Sequence, residues 1–174
     1  MEQTTSSDGQ KHTPAWICLS YVTWFTILIL TATGCSSKGW RGWEGRLTKA
    51  DNRLVLETDA LRVGIWQTND LAIHYRYVRE GDRLTISGHV KRQARIKHFH
   101  RLRAWIWIHF LDGNGYVKET RRLWAQNGSD VYGQIRYRFN RDWHMPPGTV
   151  AMGFSYSGHA RDWDAVGWDF WRLP

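Results

Sequence analysis

After residue 40 the apolar side chains recur at every second position, and that spacing admits strands and little else. Leu84, Ile86, Gly88 and Val90 alternate with Thr85, Ser87, His89 and Lys91, while Ile73, Tyr75 and Tyr77 alternate with His74, Arg76 and Val78. Glu80-Gly81-Asp82 between these runs is turn chemistry, so residues 71–91 are expected to form a hairpin. Leu102, Ala104, Ile106, Ile108 and Phe110 make another apolar face, ending at Asp112-Gly113-Asn114-Gly115, which reverses the chain into Tyr116–Thr120. Val131, Gly133, Ile135, Tyr137 and Phe139 predict a strand with a basic outer face. Val150, Met152, Phe154 and Tyr156 predict one more, Trp168–Leu173 a last one, and Leu54–Glu57 and Leu61–Trp66 two shorter ones. Nowhere beyond residue 40 do apolar positions keep a 3, 4, 7 spacing over a helical length.

About seven to nine short strands with frequent turn signals predict an all-β fold, an antiparallel β-sandwich of immunoglobulin-like or jelly-roll type, with a small closed barrel as the alternative. The chain has 174 residues, which suits one domain, or one domain plus a targeting segment. It is too apolar and too aromatic for a disordered chain, and two cysteines exclude a disulfide-dense scaffold or a four-cysteine zinc site.

The first 40 residues are of another kind. No charged side chain lies between Thr13 and Ser37, and the apolar heart of that stretch is Ile17–Ala32. As a helix its sixteen residues reach about 24 Å, and with Ala15, Trp16, Thr33 and Gly34 about 30 Å, the thickness of a bilayer's hydrocarbon core. The run ends in Ala32-Thr33-Gly34-Cys35.

Residues 1–35 therefore resemble the signal peptide of bacterial lipoproteins, whose lipobox places two small residues before an invariant cysteine. Ala32 stands where leucine is commonest in that motif. Glu2 and Asp8 outweigh Lys11 in the leader, which in signal peptides is usually basic, and Lys38, Arg41 and Arg46 follow the run instead. The resemblance implies that Cys35 is lipidated and becomes the mature N-terminus. It also implies a cell-membrane location facing the periplasm or exterior, with Ser36 compatible with an outer membrane. The residues alone leave open an uncleaved hydrophobic anchor helix or a soluble core helix. The expected organisation is thus residues 1–34 as signal peptide or anchor, 35–46 as a Gly-rich tether, and 47–174 as the sandwich.

Without residues 1–34 the chain carries 23 basic and 14 acidic side chains, a net charge of +9, and ten tryptophans. Arg92, Arg95, Lys97, Arg101 and Arg103, with His98 and His100, form the densest basic stretch. Such a run is either a solvated connection that discourages edge-to-edge pairing or a surface for an anionic partner such as lipid head groups, a lipopolysaccharide or an acidic protein. Trp105 and Trp107 share a strand face with His109, opposite the apolar face of Leu102–Phe110. That second face is either covered by arginine stems or displayed as an aromatic platform. Arg95, Lys97, Arg101, Arg103, Trp105 and Trp107 are the candidate partner-binding residues.

No other chemistry stands out. A metal needs three or four converging ligands, whereas His98 and His100 offer two from one strand, with His109 further along and basic neighbours that oppose a cation, so no metal or cofactor is expected. Asp112–Gly115 lacks the later oxygens of a calcium loop. Asp162, Asp164 and Asp169 could supply a carboxylate pair, but no nucleophile elbow, phosphate loop, HExxH or paired-cysteine motif is present, and Ser155 and Ser157 lack the Gly-x-Ser-x-Gly context. Trp163, Trp168 and Trp171 read as core and edge packing. The small residues Thr149, Ala151, Gly153, Ser155 and Ser157 predict that an indole packs over their strand.

The sequence expectation is a non-enzymatic, lipid-anchored envelope protein with an interaction domain; nucleic acid is not expected as a partner. The alternatives are a carbohydrate-binding module or glycan-active enzyme using surface Trp and Asp residues, and a subunit of a larger envelope assembly.

Overall fold

Period-two sequences become strands whose alternate side chains face one core. In the computed structural model, which describes residues 42–129, 137–162 and 167–174, nine strands form two antiparallel sheets with no α-helix among those residues. The larger sheet contains β1 (Leu54–Val55), β5 (Arg101–Leu111), β6 (Val117–Ser129), β8 (Ala151–Arg161) and β9 (Gly167–Arg172). Its order is β1-β8-β5-β6, with β9 also pairing β8. The smaller sheet has the order β2-β3-β4-β7, from β2 (Arg62–Gln67), β3 (Leu71–Glu80), β4 (Arg83–Arg92) and β7 (Arg138–His144).

The expected hairpin at 71–91 is present as β3 and β4, paired from Leu71↔Arg92 to Glu80↔Arg83 around Gly81, whose φ of 61° favours a residue without a Cβ. Their inward residues Ile73, Tyr75, Tyr77, Leu84, Ile86 and Val90 are buried. The facing layer supplies Leu102, Ile106, Ile108 and Phe110 from β5 and Met152, Phe154 and Tyr156 from β8. Rings from the two sheets meet in the middle: Trp66 and Tyr75 lie 5.5 Å and 5.6 Å from Phe154, and Phe110 lies edge-on to Trp143 at 6.1 Å. These contacts make the fold a sandwich, since each ring buries its apolar area against the opposite layer.

Two expectations change, and a third lies largely outside the described residues. The strand expected over 131–139 falls mostly on residues 131–136, outside those described, and the described strand there is Arg138–His144, with Phe139 buried. The strand expected at Tyr116–Thr120 runs on to Ser129. Between Ile106↔Trp124 and Trp107↔Arg122 it carries a bulge that adds Leu123, which is why two neighbours, Leu123 and Trp124, are both buried. Finally, the small residues of β8 are covered partly by something other than an indole. A Cβ on Gly153 would come within 2.7 Å of the Asn52 carbonyl, because the Ala50–Asn52 3₁₀ turn lies against that strand.

That turn also completes the β8 edge. β1 pairs β8 at Ala151 and Met152, and β9 pairs it from Tyr156 to Arg161. In the gap, the Asn52 side chain donates to the Phe154 carbonyl at 2.7 Å and accepts from the Phe154 N–H at 3.1 Å. Residues 1–41, with the expected signal or anchor segment, Cys35 and most of the tether, lie outside the described residues. Residues 42–46 form a turn bound to β6: Gly45 donates to the Val117 carbonyl and the Val117 N–H to that of Arg46. Trp43 there packs on a small cluster of Leu111, Val117 and Ala151 on the outer side of the larger sheet. Among the described residues no helix is long and apolar enough to cross a membrane.

Candidate functional site

The outward-facing residues of β5 are Arg101, Arg103, Trp105, Trp107 and His109, because Leu102, Ala104, Ile106 and Ile108 are taken by the core. Register then sets their neighbours across the larger sheet. Trp171 of β9, Ser157 of β8, Trp105 of β5 and Ala125 of β6 form one row. The next row is Asp169, His159, Arg103 and Asn127, followed by Gly167, Arg161, Arg101 and Ser129.

One end of this face is closed. His109 is fully buried, its Nε2 2.7 Å from Ser155 Oγ and its Nδ1 2.8 Å from Thr120 Oγ1, with the Trp43 ring edge-on at 6.3 Å. Burial pushes its imidazole down to about 4 from 6.5, so it is neutral at physiological pH. Trp107, 8% exposed, belongs to this closed end and is no platform.

The other end is open. Trp171 is 66% exposed, Trp105 is half-buried, and the Arg103 guanidinium lies 5.0 Å from the Trp105 ring centre. Between the two indoles stands Ser157, and the indoles, Arg103, His159 and Asp169 border one groove. Arg101, Arg161 and Asn127 border a second groove that shares Arg103 and His159 with the first. His159 Nδ1 lies 2.7 Å from Asp169 Oδ1, so the carboxylate of this row is engaged. Neither Arg103 nor Arg161 has a carboxylate within ion-pair distance among the described residues.

Of the six candidate partner-binding residues, Arg101, Arg103 and Trp105 are brought together here. Arg95 and Lys97 are not, because the 93–100 connection crosses from the smaller sheet to the larger. Arg95 lies 5.2 Å over the Trp168 ring and 3.6 Å from the buried carboxylate of Asp70. Lys97 borders a groove with Lys91, Arg92, Tyr137 and Arg138 beside the smaller sheet. There His74 and His89 stack 4.7 Å apart, and desolvation, then the charges of His74, Arg138 and Lys91, lower the His89 pKa.

The remaining candidates for chemistry separate. His98 leans on Phe99, while Asp162 accepts from the His100 N–H and lies 2.6 Å from its ring, contacts that hold its carboxyl below the usual range. Asp164 and Trp163 lie outside the described residues. Asp112 Oδ1 accepts from the Asn114 and Tyr116 N–H groups, closing a hairpin turn. No group of three His, Cys, Asp or Glu is placed to hold a metal among the described residues.

Sequence reasoning missed Trp171, His159 and Arg161. Trp171 was expected in the packing; β9 instead puts Phe170 into the core at 2% exposure, which turns Trp171 outward. The alternation of β9 around Phe170 carried that signal. The chain matches no family model, no curated protein and no solved structure.

Proposed function

We propose that this chain is a lipid-anchored protein of a bacterial envelope, acylated at Cys35, whose non-catalytic sandwich contacts an anionic envelope partner. The anchor reading is supported by the uncharged run that ends in Ala32-Thr33-Gly34-Cys35. Acyl chains contribute about 0.8 kcal/mol per buried methylene, so more than one of them holds a small domain at a bilayer without a spanning helix.

The observation that carries the contact reading is the open end of the larger sheet. Arg103 and Arg161 lie beside Trp105 and Trp171, while Asp169, the carboxylate of the Arg103 row, is 2.7 Å from His159 and Asp162 is 2.6 Å from His100. An uncompensated cationic patch beside aromatic surface attracts an anion and supplies apolar area to hold it. Of the carboxylates in the glycan-cleaving alternative, Asp162 lies against His100 and Asp169 against His159, and Asp164 lies outside the described residues.

Metabolic palmitate labelling with membrane fractionation tests the anchor: wild type is labelled and sediments with membranes, and Cys35→Ser loses both. Equal labelling of the two would contradict it. Charge reversal of Arg103 and Arg161 together tests the contact, with loss of captured envelope material expected and unchanged capture contradicting it.

A further inference from the structure

We propose that the slot between Trp105 and Trp171 seats a sugar ring of an acidic polysaccharide, whose carboxylate is bound by Arg103. This rests on the reading of the open sheet face as the contact surface, and it names the partner's chemistry.

The slot has two walls and a floor. Trp105 and Trp171 project from strands on either side of β8 in one row, with Ser157 between them. Two strand spacings, about 10 Å, separate the backbones that carry the two indoles. Ser157 fills almost none of that width, so the floor is low. It is also firm: a Cβ on the neighbouring Gly158 would come within 2.3 Å of the Phe170 ring and 2.7 Å of the Arg103 carbonyl, so the strands beneath are closely packed. Flat indole walls suit the apolar C–H faces of a pyranose, and a serine floor suits its hydroxyls.

The polar end selects the charge. The Arg103 guanidinium is held 5.0 Å from the Trp105 ring centre. A guanidinium can pair a carboxylate with two parallel hydrogen bonds. His159 in the same row is oriented by Asp169 at 2.7 Å, and Arg161 extends the positive field into the adjoining groove. A phospholipid head group needs the cations but not paired indole walls around a small-residue floor. A sugar ring bearing a carboxylate uses both.

The test uses the full-length purified chain in detergent, titrated with polygalacturonate, alginate and hyaluronate, with dextran as the neutral glycan and phosphatidylglycerol vesicles as the anionic surface. Calorimetry and tryptophan fluorescence are the readouts. At least one acidic polysaccharide is expected to bind and quench fluorescence, at least tenfold more tightly than dextran. Trp171→Ala, at an exposed position on the outermost strand, and Arg103→Gln are each expected to weaken it about tenfold or more, with thermal melting unchanged to show that the fold persists. No binding of any acidic polysaccharide, or binding indifferent to Trp171→Ala, overturns the proposal. Vesicle binding that needs Arg103 and Arg161 but not Trp171 overturns the sugar assignment while leaving the contact surface in place. Vesicle and glycan binding indifferent to all three residues overturns both.

Discussion

The side-chain amide of Asn52 is hydrogen-bonded to both backbone groups of Phe154, standing in for one residue of a strand where β1 has ended and β9 has not begun. Both partners are buried, so no water replaces these bonds. Asn52→Ala leaves one N–H and one carbonyl unpaired, a loss of about 2–4 kcal/mol. Urea unfolding should show a lower midpoint with an unchanged slope. Asn52→Asp keeps the acceptor but sets a carboxylate against the Phe154 carbonyl, and should be at least as unstable.

His109 gives the fold a dependence on acid. Its pKa is lowered to about 4 in the native protein by burial, against 6.5 for the free side chain. Between those values the unfolded chain binds the proton and the native one does not, so stability falls as pH falls. The contribution is complete above about pH 6.5 and lost on the way down to about 4, some 3 kcal/mol in all. Unfolding free energies measured from pH 7.5 to 4.5 should follow that slope. His109→Gln, which keeps hydrogen-bonding atoms toward Thr120 and Ser155, should flatten it.

Tyr156 predicts the opposite limb. Its hydroxyl donates to Asp70 Oδ2 at 2.8 Å and lies 2.9 Å from Thr68 Oγ1, and burial holds the phenol above its ordinary value of 10. A raised phenol pKa means the unfolded chain loses its proton first, so stability should fall as pH rises past about 10. Tyr156→Phe removes that decline and takes the Tyr156 donor from Asp70 Oδ2, a cost of about 1–3 kcal/mol at neutral pH. Ultraviolet difference titration should find one fewer late-ionising tyrosine in the variant.

The parts of the fold that could be read from the residues are those where period two runs unbroken. The β3–β4 hairpin, β5 and β8 each appear with the expected face inward, although part of the outer face of β5 and β8 is covered as well. β6 was legible only at its start, because the bulge at Leu123 shifts the phase and the polar residues around it mask the pattern. The basic run at 92–103 looked like one patch because its charges are adjacent in the chain. The chain changes sheet within it, so Arg95, Lys97 and Arg103 end in three different environments. The site that did form depends on register across β5, β8 and β9, a long-range property that no local window contains. Likewise, the small face of β8 announced a close approach but not its occupant, which is in part Asn52 and its turn rather than an indole.

Intact-mass spectrometry of the protein, expressed in a bacterium and extracted from its membranes, tests processing and acylation at Cys35. The expected species begins at Cys35, lacks residues 1–34 and carries the added mass of the acyl chains. A full-length species beginning at Met1 with no added mass, recovered from the soluble fraction, would contradict it.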